Sequence, residues 1–341
     1  MPMPMPPDQA DIDETVTADD VAAAAGVSRW TVARAFKKDA SISRKSREKV
    51  MAAAEALGYA PDLLAASLAS DRSNLVAIIT NDFSNPHKLV LLERLTRILW
   101  SNGWATLLVH MSDSEDASAA LLAASQRRVD AAVVIGTRFD DRVLDTALGA
   151  RRLKKLVIFA RYSQNPNTLT IACDDSVAMR TIAAELHAKG YRRPLFVAGP
   201  DTQSAKLHRK NSFDACWREM TGDGVPVIHV GEYDFSAAFE GVLAAMRGYA
   251  LDRRPDVLVC ENDIIAIGAM DALRSRLGLR VPQDVGVTGF DDIPLAASPT
   301  YQLTTYRQPV TQMTEKLLEV LEGKRTEDVL LPGSFIPRSS A

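Results

Sequence analysis

The chain has 341 residues and a formal net charge of −3, with 47% hydrophobic and 24% charged residues. This composition excludes a mostly disordered or collagen-like chain, and at roughly 150 residues per domain the length predicts two or three domains. The sequence has no run of about 18 apolar residues and no secretory signal at Met1–Pro7, so no membrane segment is expected. Three well-separated cysteines without a CxxC pair favour a reducing cytoplasm over a disulfide framework or a structural zinc site.

The first 60 residues begin with a tail and continue with three short helices, here called the head (residues 17–60). Residues 1–16 are rich in proline and then in acids, which is typical of a disordered segment. The head contains hydroxyl residues that can cap the start of a helix, Thr17, Ser28 and Ser43, and glycines that can end one, Gly26 and Gly58. They predict a first helix that ends at Gly26, a second at 29–36 and a third that runs to Leu57. The tight glycine turn between the first two helices is typical of a helix-turn-helix.

The head carries a concentrated positive charge. Eight basic and two acidic residues lie between Arg29 and Lys49, so this segment has a charge of +6 and the rest of the chain has −9. Basic residues on and after the second helix of such a motif predict contact with DNA. The alternative is a generic three-helix subdomain with a solvated basic face. The small interior residues Ala22, Ala25 and Ala33 disfavour it, because they permit the close helix crossing of a helix-turn-helix.

Residues 61–74 connect the head to the rest of the chain. Pro61–Ser70 favours a helix of only about two turns, which is marginal in water by itself. We expect this helix to pack on another element or to fold when a partner binds. Asp71–Asn74 is expected to be a polar linker.

From Leu75 onward, apolar runs alternate with helical segments. Strands are predicted at Leu75–Thr80, Ala105–His110, Ala131–Ile135, Leu156–Ala160, Pro194–Ala198, Val225–Val230, Val257–Cys260 and Val285–Thr288. The helices between them include His87–Ser101, Val177–Lys189, Phe235–Tyr249 and Ile264–Leu277. Continuous apolar strands separated by helices predict parallel sheets that are covered on both faces. We therefore expect an all-α helix-turn-helix head followed by an α/β core (residues 75–341) of two doubly wound parallel-sheet lobes, with four strands in each.

Polar pairs follow three of the predicted strands, where the ligand crevice of a doubly wound sheet lies. These pairs are Asn81-Asp82, Asn262-Asp263 and Asp291-Asp292. The sequence has no GxxxxGK(S/T) or GxGxxG phosphate loop, no GxSxG elbow and no histidine spacing for zinc. We therefore expect a ligand-binding protein without metal or cofactor rather than an enzyme.

Several segments of the chain resemble the lactose-repressor (LacI/GalR) family. In the head they are TADDVAAAAGVSRWTVAR (17–34), SRKSREKV (43–50) and LGYAP (57–61). In the core they are DFSNP (82–86), RRVD (127–130), RKNSF (209–213), ND (262–263), VPQD (281–284), GFDD (289–292) and LTT (303–305). The resemblance runs from Thr17 to near the C-terminus. It implies a dimeric or tetrameric transcription regulator with a type I periplasmic-binding-protein-like effector core.

The resemblance implies that the second helix reads DNA bases through Arg29, Trp30 and Arg34. Arg34 is the best candidate, because a guanidinium can bond O6 and N7 of guanine in a bidentate way. Trp30 is unusual at its position, and it either contacts a thymine methyl or a sugar or packs against the head's own surface. The other implied DNA contacts are Thr17, Ser28, Thr31, Ser43, Ser46 and Tyr59, with Ser28 and Thr31 on phosphates.

Pro61–Ser70 matches the family's hinge helix, which folds on the operator. By that match Leu68 is the wedge in the minor groove and Ala65 is the small neighbour that allows close approach. Asp62 and Ala66 stand where Asn and Arg are common in the family. An added acid and a lost base weaken minor-groove attraction, so we expect a hinge helix that is less stable or more dependent on dimer contacts than is typical.

In the core, the resemblance implies that effector contacts lie at the predicted strand ends. These residues are Asp82, His87, Lys88, Arg161, Arg209, Asn262 and Asp291. Arginine, carboxylate and amide groups suit sugar hydroxyls, which both donate and accept hydrogen bonds. The alternatives are a strand-end cap for Asp291 and a surface salt bridge for Arg209. His87 and Lys88 replace aromatic residues that often stack on the effector, and a cation at the rim would favour a sugar acid or a sugar phosphate.

The sequence thus predicts a cytoplasmic, sequence-specific transcription regulator, a repressor, that binds palindromic operator DNA as a homodimer. A small effector (a sugar, sugar acid or sugar phosphate) between the lobes would change the lobe angle and the operator affinity. The alternative is a cytoplasmic sugar-binding receptor or a sugar-acting enzyme with a docking head, which the positive charge of the head disfavours.

Overall fold

The computed structural model describes most of the chain. The described residues are 16–37, 40–62, 72–81, 83–111, 116–136, 153–200 and 208–341. The chain divides into two compact units, Met1–Ser73 and Asn74–Ala341. The predicted features that lie outside the described residues are the tail up to residue 15, the hinge residues Ala65, Ala66 and Leu68, and the effector contact Asp82.

The first unit contains the three predicted head helices. They are α1 (Ala18–Ala25), α2 (Arg29–Ala35) and α3 (Arg44–Leu57). At the start of α1, Thr17 and Asp20 form a capping box, in which each side chain accepts a hydrogen bond from the other's backbone N–H. Gly26 and Gly58 adopt the left-handed conformation, with φ of 63° and 67°, and end α1 and α3. Helix α2 ends one residue earlier than predicted, because Phe36 occupies its C-cap position.

Small apolar side chains form the core of the head. They are Val21, Ala22, Ala25, Val32, Ala35, Val50 and Ala54. Alanine at several of these positions lets the three helices approach closely, and Ala22 and Ala25 are buried as predicted. The prediction that Ala33 lies in the interior is wrong, because Ala33 is on the exposed face of α2 and Ala35 is the buried alanine there. Because these positions face inward, the charged and aromatic side chains of α2 are directed to the surface.

The second unit is built from alternating strands and helices. Its strands are β1 (Leu75–Thr80), β2 (Ala105–His110), β3 (Ala131–Ile135), β4 (Leu156–Phe159), β5 (Leu169–Cys173), β6 (Pro194–Ala198), β7 (Val227–His229), β8 (Val257–Cys260), β9 (Gly286–Thr288), β10 (Thr305–Arg307), β11 (Val329–Leu331) and β12 (Ser334–Ile336). Its helices are α4 (Pro86–Ser101), α5 (Asp116–Gln126), α6 (Asp175–Ala188), α7 (Arg209–Thr221), α8 (Phe235–Arg247), α9 (Asp263–Arg276) and α10 (Val310–Leu321). The eight predicted strands and four predicted helices all form, with ends within two residues of the prediction.

The strands form two parallel sheets, which define two lobes. Lobe 1 has the order β2-β1-β3-β4-β5-β11, and lobe 2 has the order β7-β6-β8-β9. The prediction of four strands in each lobe is therefore wrong for lobe 1, which has six in the described part of the chain. Strands β10 and β12 form a separate antiparallel pair, joined to lobe 2 where Thr304 bridges Thr288.

Helices cover both faces of each sheet. In lobe 1, α4 and α10 pack on one face and α5 on the other. In lobe 2, α8 and α9 pack on one face, while α6 and α7 pack on the other. The chain leaves lobe 1 after β5, returns with α10 and β11, and ends beside lobe 2. In the described part of the chain, no helix combines the length and apolar character that a membrane span needs.

Candidate functional sites

The hydroxyl residues predicted to contact DNA cap the helices of the head. Ser28 accepts a hydrogen bond from Thr31 N at 3.2 Å, and the two side-chain oxygens lie 2.9 Å apart. Ser43 accepts from Ser46 N at 3.1 Å and donates to Ser46 Oγ at 2.8 Å. Thr17 caps α1 in the same way. The structure therefore assigns these side chains a capping role, and their contact with DNA stays a prediction.

The surface of α2 presents the three predicted base-reading residues. Arg29 Nη1 lies 3.2 Å from the carboxylate of Asp19, and both side chains are exposed. Trp30 is 68% exposed and lies outside the core of the head. The guanidinium carbon of Arg34 lies 4.3 Å from the centre of the Trp30 ring, and Arg34 also donates to the carbonyl of Ser41. Arg34 and Trp30 thus form a stacked pair on the outer face of α2.

Arg47 and Phe36 hold the C-terminal end of α2. The Arg47 guanidinium donates to three carbonyl oxygens, those of Ala35, Lys37 and Ala40, at 2.7, 3.2 and 3.4 Å. The ring of Phe36 packs edge-on against Tyr59, with ring centres 5.8 Å apart. Arg47, one of the eight basic residues of the head, therefore has a structural role that its charge did not indicate.

In the second unit, three buried side chains meet where lobe 1 joins lobe 2. Gln308 follows β10 and donates through Nε2 to Asp291 Oδ1 at 2.7 Å, and Nε2 also lies 3.1 Å from His87 Nε2. Asp291 therefore sets the amide orientation, because the opposite one would place Oε1 against the carboxylate. The same amide then donates to His87 Nε2, which puts the ring proton on Nδ1. Asp291 has a φ of 112°, a strained conformation that is rare outside glycine and is often kept at functional sites.

His87 is neutral near pH 7, contrary to the prediction of a cation at this position. Burial lowers the pKa of His87 from its usual 6.5 to about 4, against the opposing effect of Asp291. His87 is also 3% exposed and does not lie at the rim. Lys88, the next residue, is half-buried. The expected preference for an anionic effector therefore loses the support that it drew from His87.

Arg209 forms a buried ion pair, so the alternative of a surface salt bridge is wrong. Its Nε lies 3.1 Å from Asp175 Oδ1, and its Nη1 donates to the Glu261 carbonyl at 2.8 Å. The guanidinium carbon lies 3.6 Å from the centre of the Phe290 ring. Burial opposes the charge, but Asp175, Asp291 and Glu261 raise the pKa of Arg209 above its usual value. Arg209 therefore stays positively charged, with its charge compensated by a neighbour.

Asn262 and Glu261 line the lobe 2 side of this site. Asn262 Oδ1 accepts from Ile265 N at 3.1 Å and caps α9, and its amide nitrogen makes no hydrogen bond with any residue that the structure describes. Glu261 Oε2 accepts from Gly199 N at 2.5 Å and from the Tyr233 hydroxyl at 3.2 Å. Burial raises the pKa of Glu261 above its usual value. The amide nitrogen of Asn262 is thus a donor that remains for a ligand.

Arg161 and Asn81 lie on the lobe 1 side. Arg161 is 1% exposed and donates to the Tyr162 carbonyl at 2.9 Å. The Tyr162 hydroxyl accepts from Asp175 N at 3.1 Å, which connects this segment to the Arg209 ion pair. Both amide atoms of Asn81 are buried and have no partner among the described residues. A Cβ at Gly136, whose φ is 134°, would lie 2.3 Å from Asn81 Oδ1, so glycine is required there.

Two acids of the polar pairs have structural partners. Asp263 is fully buried and accepts from the Thr305 hydroxyl at 2.6 Å. Asp292 lies 2.6 Å from Arg307 and 2.6 Å from Arg338. In contrast, Asp291 caps no helix in the described part of the chain, since its side-chain contacts are with Gln308 and His87. Of these three acids, Asp291 is therefore the one whose side chain reaches the lobe junction.

Two family models match the chain. The model for bacterial regulatory proteins of the lacI family matches residues 17–62, and the model for a periplasmic binding protein-like domain matches residues 183–341. The chain belongs to the LacI family of bacterial regulatory proteins. The first model covers the whole head of this LacI-family protein, and the second covers most of lobe 2 and the C-terminal segment.

Relatives match the LacI-family protein over nearly its whole length. The ribose operon repressor of Escherichia coli K12 is 28% identical over 92% of this chain and 94% of its own length. The sucrose operon repressor of Shigella flexneri is 26% identical over 89% of this chain and 93% of its own. A crystal structure of the lac repressor dimer bound to operator and the anti-inducer ONPF has 25% identity and a TM-score of 0.81, covering 96% of this chain and 99% of that chain. These matches confirm the predicted fold class.

Three polar residues of the LacI-family core were not predicted from the sequence. Asp175 pairs with Arg209, Gln308 bonds Asp291, and Glu261 accepts from Gly199 N beside the Arg209 site. Glu261 adjoins Asn262, which was predicted, so its position beside a strand end was an available signal. Asp175 and Gln308 had none, because the partners that they orient lie 34 and 17 residues away in sequence.

Proposed function

We propose that the chain is a sequence-specific transcription repressor that binds operator DNA through its head and a sugar through its core. The surface of α2 carries this proposal. Arg29, Trp30 and Arg34 stand outside the core of the head, on a helix whose N-terminus is capped by Ser28. A helix of this kind in a helix-turn-helix enters the major groove. The ribose and sucrose operon repressors, which match the chain over its length, support the same role.

In this proposal two heads of a homodimer bind the half-sites of a palindromic operator. Arg34 bonds guanine, Arg29 contacts a neighbouring base or sugar, and the hydroxyls of Ser28 and Thr31 contact phosphates. Trp30 lies beside Arg34 on the same surface of α2. The remaining proposed DNA contacts are Thr17, Ser43, Ser46, Tyr59 and the hinge residues Ala65 and Leu68. Because operator DNA lies in the cytoplasm, we place the protein there. The relatives are named as repressors, and we assign no catalytic role.

The effector in this proposal is a neutral sugar between the lobes. Arg209 has its charge compensated by Asp175 at 3.1 Å, and His87 is neutral, so neither leaves a free positive charge for an anion. The carboxylate of Asp291 accepts from a sugar hydroxyl and would repel a phosphate. The other proposed effector contacts are Asp82, Lys88, Arg161 and Asn262. By linkage, the sugar shifts operator affinity by its differential affinity for the two states, about 1–3 kcal/mol.

Arg34→Ala tests the DNA-binding part of the proposal. Duplexes selected by the full-length protein from a random pool supply the specific DNA, and a scrambled duplex supplies the non-specific DNA. We expect Arg34→Ala to weaken specific binding by about 5- to 150-fold, the range for one bidentate base contact, and to change non-specific binding much less. Lys49→Ala, which removes an equal charge from the exposed face of α3, should change both affinities by the same factor. Equal losses for Arg34→Ala on the two DNAs would contradict base reading by Arg34.

Calorimetric titration of the full-length protein tests the effector class. The ligands are neutral pentoses and hexoses, with their phosphates as the charged counterparts. We expect binding of at least one neutral sugar, tighter than that of its phosphate, and loss of this binding in Asp291→Ala. Tight binding by sugar phosphates alone would contradict the charge argument made from Arg209 and His87.

A further inference from the structure

Trp30 and Arg34 form a stacked pair one turn apart on α2, in which Trp30 is exposed and Arg34 is half-buried. The Arg34 guanidinium carbon lies 4.3 Å from the centre of the indole ring, within the range of a cation–π contact. Trp30 is 68% exposed and has no place in the apolar core that holds the three helices together. Among the described residues of the head, the partner of the Trp30 ring is therefore Arg34, the proposed guanine reader.

The stack and one hydrogen bond restrict where the Arg34 guanidinium can go. A free arginine side chain samples many rotamers, and ordering it on DNA costs entropy. In the head, the indole covers one face of the guanidinium, and one N–H of Nη2 donates to the Ser41 carbonyl. The second N–H of Nη2 and a neighbouring nitrogen still form an edge with two donors, which is the edge that guanine O6 and N7 accept.

Arg29, the basic residue at the start of α2, has a different environment from Arg34 in the last turn. Its guanidinium lies 3.2 Å from Asp19 of α1, and both side chains are exposed. A carboxylate beside Arg29 competes with the acceptors of a base, whereas the aromatic ring beside Arg34 does not. Arg34 is therefore the arginine of α2 whose donors are better available for a base.

We propose that Trp30 is a positioning residue for Arg34: its indole holds the guanidinium with a two-donor edge directed outward, and this sharpens the discrimination of guanine from other bases. The inference rests on the proposed function, because it requires that α2 reads DNA. It differs from direct recognition by Trp30, in which the indole would contact a thymine methyl or a sugar independently of Arg34.

A double-mutant cycle on the full-length protein tests this proposal. Two duplexes are compared. The first is the duplex that the wild-type protein selects from a random pool. In the second, one G·C pair is replaced by A·T, at the position where Arg34→Ala no longer prefers G·C. The measured quantity is the ratio of the two dissociation constants for the wild type, Trp30→Leu, Arg34→Ala and the double variant. Trp30→Phe, which keeps an aromatic face, is the conservative variant. Met51→Ala removes another exposed apolar side chain of the head, 44% exposed, and is the matched control.

We expect Trp30→Leu to reduce the ratio by about two- to fivefold, the range for an exposed cation–π contact, and Trp30→Phe to reduce it less. In the Arg34→Ala background, Trp30→Leu should leave the ratio unchanged, because the side chain that it positions is absent. The salt dependence of binding should stay that of the wild type, since no phosphate contact is removed. Circular dichroism checks that the exposed substitution leaves the head folded.

Two results would overturn the proposal. One is an equal reduction by Trp30→Leu in both backgrounds, which is the result expected if Trp30 contacts the tested base pair by itself. The other is an unchanged ratio in the single variant Trp30→Leu. If the full-length protein selects no sequence at all, the proposed function fails and the inference falls with it. If it selects a site and the two substitutions act independently, only the inference is wrong.

Discussion

At the residue scale, the lobe junction is a set of buried polar groups that fix one another's state. Asp291 orients the Gln308 amide, the amide fixes the His87 tautomer, and Asp175 keeps Arg209 charged. Such a network leaves few donors and acceptors unassigned. Among the described residues those include His87 Nδ1 and Gln308 Oε1, which are buried and have no partner. These atoms are suited to exchange hydrogen bonds with sugar hydroxyls, which donate and accept at once.

The residue identities at this site were only partly predictable from the sequence. Arg209, Asn262 and Asp291 follow recognisable motifs at strand ends, and so their positions could be predicted. Their protonation and pairing depend on long-range partners, and no local pattern marks such a partner. Lone histidines are often assumed to supply charge, but burial removes the charge of His87 and only the fold reveals that burial.

The lowered pKa of His87 predicts a pH-dependent stability. Its pKa is about 4 in the folded chain and near its usual 6.5 in the unfolded chain, so the unfolded state binds more protons between these values. The stabilisation is fully present above pH 6.5 and is lost as the pH falls toward 4. Between pH 7 and pH 4, we expect the free energy of unfolding to fall by roughly 3 kcal/mol more in the wild type than in His87→Asn. Urea unfolding followed by circular dichroism measures this difference.

The control for this prediction is His110→Asn, which removes an exposed histidine at the end of β2. It should show the same pH dependence as the wild type. An identical pH dependence in His87→Asn and the wild type would contradict a neutral, buried imidazole.

The ion pair of Arg209 predicts that substitutions at the adjacent residues Asp174 and Asp175 lower the free energy of unfolding by different amounts. Asp175→Ala leaves the Arg209 charge buried without its partner, and we expect a loss of about 3–5 kcal/mol in the free energy of unfolding. Asp174→Ala removes only the N-cap of α6, which accepts from the Ser176 and Val177 N–H groups, and should cost about 1 kcal/mol. Urea unfolding of the two variants at pH 7 provides the comparison. Equal losses of unfolding free energy in the two variants would contradict a buried Arg209 charge that needs Asp175 as its partner.

At the element scale, caps and apolar runs predicted the long elements well. Thr17, Ser28 and Ser43 each precede a helix, and Gly26 and Gly58 each end one. The strands that were missed have mixed composition or only three residues, as in β5, β10, β11 and β12. Strand β11 forms by pairing with β5, which lies about 160 residues earlier in the chain. Pairing over such a distance leaves no local sequence signal, so the six-stranded sheet could not be predicted.

Arg47 predicts an effect on a single element, helix α2. Arg47→Met removes the hydrogen bonds to the carbonyl of Ala35, the last residue of α2, and to those of Lys37 and Ala40 after it, and keeps the aliphatic stem. We expect a loss of about 1.5 kcal/mol, the low end for hydrogen bonds from a charged group because Arg47 is half exposed, and about tenfold faster amide exchange in α2. Lys49→Met removes the same charge from an exposed position of α3 and should leave exchange in α2 unchanged. Equal acceleration by the two variants would show that charge, and not capping, is responsible.

At the scale of the whole molecule, the net charge of −3 is the sum of two unlike parts. The segment from Arg29 to Lys49 carries +6 and the rest of the chain −9. The positive segment attracts phosphate, while the negative remainder opposes non-specific adhesion of the large core to DNA. The head and the core are also separate compact units.

The symmetry of the selected DNA shows whether the protein acts as a dimeric, sequence-specific regulator. The full-length protein is incubated with a pool of random duplexes, and the bound sequences are amplified and read over successive rounds. We expect a palindromic consensus whose half-sites are separated by about one helical turn or a multiple of it, because two identical heads must each enter a major groove. Enrichment of no sequence, or of a single half-site without a symmetric partner, would contradict the account.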